Sequence, residues 1–459
     1  MDNRIGLVLG LGLTLCASAA SAAGYYNLDQ GIESFGSGAS MVARPGNASA
    51  VYLNPADLAG LEGFDFMVGA DYALDYRSHA RASAALDPTR PDEITDFEKV
   101  TNDLGFGHVP SPNVFLGYGL DSGVLGKIGV GAGVWGPPRT DQIFTDEGSQ
   151  RYSSIRNQNL QIHFGAALAW ELYAPLKLRV GATGMLVQVT VDQRLGLNSA
   201  GVFAAPEDPE YDIFADVSAK DPAIFSAMYA LSLEPTEGLT LAATFQSGFE
   251  IAADGSLDVQ IGEALAGAAS IEGDTIEISA RMPSVARLGV DYAPSGEAFG
   301  LSAALVWEGW STNDVQTVNP VDIDLTSAGE TNPLDPILIQ NNYQDTWSAR
   351  LGGRYSLGDS WILRSGLFYE TSAVPDEYRS LGTFDLNKVG VTTGATYFIG
   401  DSGLRVNLAL GVIKGLGGEV TNSAVMAQDP LNPDGGTVVG NGRYDTLQLT
   451  SMLGLGWSL

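Results

Sequence analysis

From Trp347 the odd positions read Trp347, Ala349, Leu351, Gly353, Tyr355 and Leu357, and the even ones Ser348, Arg350, Gly352, Arg354 and Ser356. A period of two is the mark of a strand with unlike faces. After Gly358-Asp359-Ser360, a tight turn by composition, the pattern resumes with Trp361, Leu363, Leu367 and Tyr369 on one face and Arg364, Gly366 and Glu370 on the other. Such strands exceed the ordinary mode of about 5–6 residues and match the roughly 9–11 that cross a membrane. An apolar face bracketed by aromatics, with arginines opposite, predicts a barrel wall that meets lipid outside and encloses a polar lumen.

The pattern recurs along the chain, at about 63–77, 112–120, 125–135, 158–171, 175–194, 222–234, 238–253, 274–292, 298–310, 344–357, 360–372, 386–399, 402–415 and 444–458. That predicts an all-β membrane barrel of about fourteen antiparallel strands, the even number a closed bacterial barrel requires. The connections sort by parity. Short turns such as Leu120-Asp121-Ser122-Gly123, Pro235-Thr236-Glu237-Gly238 and Gly400-Asp401-Ser402-Gly403 alternate with long polar loops near 78–111, 136–157, 195–221, 254–273, 311–343, 373–385 and 416–443. Short periplasmic turns and long external loops give that rhythm. The last strand carries its apolar face through Leu453, Leu455 and Trp457 to Leu459.

Residues 23–62 do not alternate. They are rich in Gly, Ala and Ser and contain the turn-initiating pair Asn54-Pro55, so they are expected to form a compact unit outside the barrel wall. Ahead of them, Arg4 precedes an apolar run from Ile5 to Ala20 that ends in Ala20-Ser21-Ala22. A basic start, apolar middle and A-x-A site make a secretory signal over residues 1–22. The expected organisation is 1–22 signal, 23–62 N-terminal unit and 63–459 barrel.

Composition narrows the function. Mean hydropathy is only +0.06, and no internal run reaches the roughly 20 apolar residues of a membrane helix. The one cysteine, Cys16, lies within the signal, which leaves no disulfide or zinc-thiolate chemistry in the mature chain. With 54 acidic against 24 basic residues the net charge is −30, which excludes a general nucleic-acid binder. His79, His108 and His163 are too few and too scattered for a triad or metal cluster. Neither catalytic residues, metal ligands nor a cofactor are expected. Gly131-Ala132-Gly133-Val134-Trp135-Gly136 matches G-x-G-x-x-G, but Pro137-Pro138 follows where a dinucleotide fold needs a helix. Glycines at 129, 131 and 133 instead thin one strand, the mark of a kink, bulge or close approach. Alternation sends Arg287, Asp291, Glu308, Arg350, Arg354, Arg364, Glu370 and Arg405 inward. These either brace the lumen in pairs or, for Arg287, Arg350, Arg354 and Arg364, meet an anionic headgroup.

Taken in order, Ala23-Gly24-Tyr25, Asn54-Pro55-Ala56, Gly133-Val134-Trp135-Gly136-Pro137, Met282-Pro283-Ser284, Trp307-Glu308-Gly309-Trp310-Ser311, Tyr343-Gln344-Asp345-Thr346-Trp347 and Ser372-Ala373-Val374-Pro375-Asp376 resemble the FadL/TodX outer-membrane transporters of long-chain fatty acids and hydrophobic compounds. One piece departs: Asp385-Leu386-Asn387-Lys388 stands where the family often carries an acidic-x-acidic-Arg run. The resemblance implies a fourteen-stranded barrel plugged by an N-terminal hatch, 23–62 here, and a monomer among outer-membrane lipid. It implies passive uptake of fatty acid or hydrocarbon: capture by external loops, a pocket against the hatch, and lateral exit beside a kinked third strand. Carried to this chain, Gly24, Tyr25, Asn54 and Pro55 are candidates for ligand contact or gating, and Gly129, Gly131 and Gly133 for the exit. An adhesin or structural barrel with partner-binding loops is the alternative, but it gives the 23–62 unit no task. A non-selective porin would want a wider ring, generally of 16 or more strands.

Overall fold

Alternation over long strands leaves each with one apolar and one polar face, and fourteen such strands satisfy their backbone only by closing on themselves. The computed structural model describes residues 30–82, 99–101, 110–137, 140–199, 207–267, 269–327, 329–428 and 436–459. The ring comprises β1 (Gly63–Arg81), β2 (Ser111–Asp121), β3 (Lys127–Trp135), β4 (Arg156–Tyr173), β5 (Leu178–Asn198) and β6 (Asp212–Thr236). It continues with β7 (Leu239–Gln246, resumed as Phe249–Gln260) and β8 (Thr275–Met282, resumed as Val285–Tyr292). It ends with β9 (Phe299–Glu308), β10 (Thr346–Leu357), β11 (Trp361–Glu370), β12 (Lys388–Phe398), β13 (Leu404–Gly415) and β14 (Gly442–Ser458). Each pairs antiparallel with the next, and β14 returns to β1 from Asp65↔Ser458 to Arg81↔Gly442. The 14-strand barrel is closed. Phe64 and Leu459 exchange backbone hydrogen bonds of 3.1 and 2.9 Å at the seam, so the final residue is part of the wall.

Gly358 turns at φ 62° between β10 and β11, a conformation glycine adopts without a Cβ penalty. The lipid face is as the alternation predicts. Trp347, Leu351, Tyr355, Trp361, Leu363, Leu367 and Tyr369 are exposed, while Arg350, Arg364 and Glu370 are buried inside.

Two corrections concern β5 to β8. Much of 195–221 and 254–273, expected as loops, is strand: β5 runs to Asn198, β6 begins at Asp212, and the outer arm of β7 reaches Gln260. On these arms the faces swap. On β5, Val187, Val189, Val191, Leu195 and Leu197 turn inward and are buried, while Gln188, Thr190 and Asp192 turn out. On β6, exposed Phe225, Tyr229 and Leu231 give way to Ser218 and Lys220 on the outside, with Ala215, Val217 and Ala219 within. The swap falls at a bulge where β6 sets two residues, Pro222 and Ala223, against the single Gln188 of β5, between the pairs Val189↔Asp221 and Val187↔Ile224. Bulges admit a proline that a regular ladder would exclude. Polar-out arms stand in water above the membrane, so the lumen beneath them is apolar where a polar one was expected. Polar inward faces persist elsewhere, with Asp71 and Arg77 on β1, Thr240 and Thr244 on β7 and Arg350 and Arg364 on β10 and β11 all buried. Among the described residues no helix is long and apolar enough to cross a membrane.

Residues 30–62 lie inside the ring. They form α1 (Ile32–Gly36), α2 (Ala50–Leu53) and a 3-10 turn, Pro55–Gly60. Asn54, fully buried, caps that turn: its Oδ1 accepts from Ala56 N at 3.2 Å and its Nδ2 donates to Val42 O at 3.1 Å. Pro55 follows at the first position, where a missing N–H costs nothing. Glycines on five strands let the unit approach the wall. A Cβ at Gly129 (β3) would overlap the Leu58 carbonyl, at Gly181 (β5) the Pro55–Ala56 peptide, and at Gly289 (β8) Val42 and Ala43. At Gly352 (β10) it would overlap the Ser37 carbonyl, and at Gly366 (β11) Ser37 and Gly38.

Candidate functional site

Above the hatch the inner faces of β2, β3 and β4 bring aromatic rings together. Tyr52 of α2 lies 5.7 Å from Trp135, ring centroid to centroid, and Phe115 5.8 Å from the same indole. His163 stacks on Trp135 at 5.6 Å with planes 10° apart, and the Arg287 guanidinium stands 5.8 Å from the Tyr52 ring. Gly165 makes room, since a Cβ there would meet the Trp135 ring at 2.5 Å. These rings join one continuous apolar interior with Met185, Val187, Met228, Ile251, Ile278, Met282 and Trp310. The interior runs from the hatch to the external arms. Rings and branched side chains offer an apolar solute contact area without hydrogen bonds to break.

Below the hatch the chemistry reverses. A cavity of about 330 Å³ is lined by Arg44, Asp57, Lys177, Arg179 and Glu234 among others. Arg179 pairs with Asp57 at 3.3 Å, and Arg44 reaches Glu234 at 3.6 Å and Asp291 at 3.5 Å. An apolar solute gains nothing among these hydrated charges.

The inward charges are matched. Arg354 holds Asp291 with two bonds of 2.6 and 3.0 Å. Arg364 donates to Glu33 of the hatch at 2.6 Å and to Thr396 Oγ1 at 2.6 Å. Arg405 bonds Asp65 at 2.8 Å and lies 3.5 Å from Glu33. Arg350 donates to Ser348 Oγ at 3.0 Å and Ala39 O at 3.3 Å, with Glu370 at 3.9 Å. Lys388, in the segment that departs from the family run, bridges Glu370 at 3.0 Å and Asp385 at 2.8 Å.

Gly129, Gly131 and Gly133 all face inward, in a ladder that is continuous with β2 and β4. Gly129 and Gly131 lie against Leu58 and Val51 of the hatch and Gly133 against Phe115. Among the described residues, strand pairing is interrupted just beyond them. The β1–β2 ladder stops at Asp71↔Ser111, β3 stops at Trp135↔His163, and the chain rejoins β4 only at Thr140↔Asn159. Asn113 Nδ2 donates to Asp71 Oδ1 and Ser111 Oγ to Gly136 O, both at 2.8 Å, on the rim of this break. Gly24, Tyr25 and the signal lie outside the described residues. The alternation read inward arginines correctly but missed Tyr52, Phe115, Trp135 and His163 as a group, since no sequence spacing links α2 to β2, β3 and β4. The signal that was present is a glycine pair beside an aromatic one: Gly165 stands across the ladder from Gly133, two positions from Trp135↔His163.

Outside the membrane, Tyr152 donates to Asp212 and Arg151 Nε to the same carboxylate, both at 2.6 Å. Burial holds the Tyr152 phenol above its usual range. Among the described residues no group of His, Cys, Asp or Glu has a metal-binding arrangement.

A closed, plugged barrel with a lipid-facing apolar belt and a continuous apolar interior is the architecture of an outer-membrane channel for solutes that water does not carry. Residues 13–432 match the family model described as outer membrane protein transport protein (OMPP1/FadL/TodX), and the chain belongs to that family. It sits in the outer membrane as a barrel and is a transport channel, with no enzymatic role. It is similar in fold to a FadL homologue of Pseudomonas aeruginosa, with 17% identity over 93% of this chain and 97% of that one and a TM-score of 0.73. The toluene transporter TodX of Pseudomonas putida is 17% identical over 94% and 98%, with a TM-score of 0.63. The toluene transporter TbuX of Ralstonia pickettii is 15% identical over 95% and 100%, with a TM-score of 0.62. No curated protein sequence matches the chain significantly.

Proposed function

We propose that the chain passes fatty acids or hydrocarbons across the outer membrane by diffusion, as a monomer among outer-membrane lipid. The external arms of β5 to β8 receive the solute. The aromatic floor over the hatch holds it, and the break above Gly136 releases it sideways into the membrane. The observation that carries this reading is the continuous apolar interior from the arms to Tyr52, ended below by a charged cavity. A solute that has reached the floor finds charge beneath it and a gap in the wall beside it, so the wall is the route of lower cost.

In this reading β3 remains the exit strand, with the opening above its glycines; Gly129, Gly131 and Gly133 admit the hatch. Asn54 and Pro55 fix the turn that presses on those glycines, so a shift of the hatch is felt at the exit. Gly24 and Tyr25 belong to the same hatch by sequence. Of the four candidate headgroup arginines, Arg287 borders the apolar floor through Tyr52; the other three brace wall and hatch. An adhesin would have no use for an apolar interior.

The test is uptake of labelled dodecane and oleate by cells that lack their own channel of this kind. Expression should raise the initial rate, and an ionophore should leave it unchanged. An assembled, heat-modifiable barrel with no uptake above the empty-vector strain overturns the proposal.

A further inference from the structure

The connection between β9 and β10 was expected as a polar external loop, 311–343. It instead folds back onto the edge of the wall sheet. Val315–Pro320 pairs with the outer arm of β8 from Ile276↔Pro320 to Ser279↔Thr317, and with Ile337–Gln340 on its other edge. Three carboxamides on this fold-back are buried: Asn313 and Gln316 at 0% exposure and Asn341 at 3%. Among the described residues, neither side-chain nitrogen nor oxygen of Asn313 and Gln316 has a hydrogen-bond partner, and Asn341 Nδ2 has none either. Buried polar groups are almost always paired, because leaving one unpaired forfeits its hydration.

One ladder places Gln316 and Asn341 together, and Asn313 lies three residues before Gln316. Gln316 stands opposite Ile339, and Asn341 N donates to Asp314 O at 2.8 Å. Gln316 and Asn341 are therefore diagonal neighbours across one ladder, about 7–8 Å apart at Cα. Around them the interior is apolar. Trp310 meets Tyr343 edge-on at 6.2 Å, and Val318, Ile337 and Ile339 are buried in the same core that reaches the hatch.

We propose that Asn313, Gln316 and Asn341 form a subsite for the neutral, hydrogen-bonding end of the transported molecule, a hydroxyl on an otherwise apolar body. This rests on the uptake reading and names the substrate class within it. Each carboxamide offers both a donor and an acceptor, and a hydroxyl answers both. A hydrocarbon leaves them unpaired. A carboxylate can only accept, and the charge beside the subsite is already negative: Glu308 Oε2 accepts from Trp310 Nε1 at 2.8 Å. Arg350, Arg354 and Arg364 have carboxylates of the chain beside them.

The experiment compares dodecane, dodecanol and dodecanoate as displacers of phenylnaphthylamine from the purified full chain in detergent. Wild type should bind dodecanol about ten-fold more tightly than dodecane, the worth of one or two well-made hydrogen bonds, and no less tightly than dodecanoate. The near-isosteric double variant Asn313→Leu with Gln316→Met should bring dodecanol and dodecane within about two-fold of each other while dodecane affinity holds. Its thermal unfolding should not fall, since it removes unpaired amides. The subsite is overturned if wild type shows no preference for dodecanol, as when ordered water satisfies the amides. It is equally overturned if the variant keeps the preference or loses dodecane in parallel. If none of the three binds assembled wild type, the uptake reading falls and the subsite with it.

Discussion

Gly129 of β3 and Leu58 of the hatch are in backbone contact: a Cβ on the glycine would occupy the position of the Leu58 carbonyl. The hatch is therefore seated through main chain against main chain. Gly129→Val should unseat it without breaking the β2–β3–β4 ladder, whose register the glycine shares with Gly119 and Ala169. In planar bilayers the variant should conduct ions measurably more than wild type. Equal conductance with an intact barrel would show that the hatch tolerates the side chain.

Glu33 is held by Arg364 at 2.6 Å and faces Arg405 at 3.5 Å. Removing one partner of a buried pair costs about 3–5 kcal/mol because the other charge stays buried. Here Arg405 retains Asp65, so Glu33→Gln is expected toward the lower end. The loss should appear as faster protease cleavage within 30–62. Cleavage at the wild-type rate would mean the pair does not hold the hatch.

Leu363 faces lipid and Arg364 the lumen, on adjacent positions of β11. An arginine on the lipid face near the midplane costs about 2–4 kcal/mol. Leu363→Arg should lower the free energy of reversible folding into vesicles by that order. Arg364→Leu should spare insertion and loosen the hatch. The reverse pattern would invert the assignment of faces.

Ser111 ends the β2 ladder, and its hydroxyl donates to Gly136 O on the rim of the wall break. Ser111→Trp should fill the break. Uptake of dodecane should drop several-fold while its binding to purified protein stays within about two-fold, since the Tyr52 pocket is untouched. Uptake at the parental rate would place the exit elsewhere.

Alternation along single strands carried most of the barrel. Strand number, turn parity and the inward side of Arg350, Arg354 and Arg364 are local consequences of a period of two and of lipid outside. The face swap at Pro222 was also written in the residues, as Phe225 and Leu231 giving way to Lys220 and Ser218. It was not legible without knowing where the membrane ends along β6, which depends on strand tilt and on neighbours. The contacts that make the site depend on closure of the ring. Tyr52 meets Trp135, Glu33 meets Arg364 across 331 positions, and Gly129 meets Leu58, because a plug touches every strand of its barrel at once. Sequence spacing records neighbours along the chain, and the hatch has its partners around a circumference.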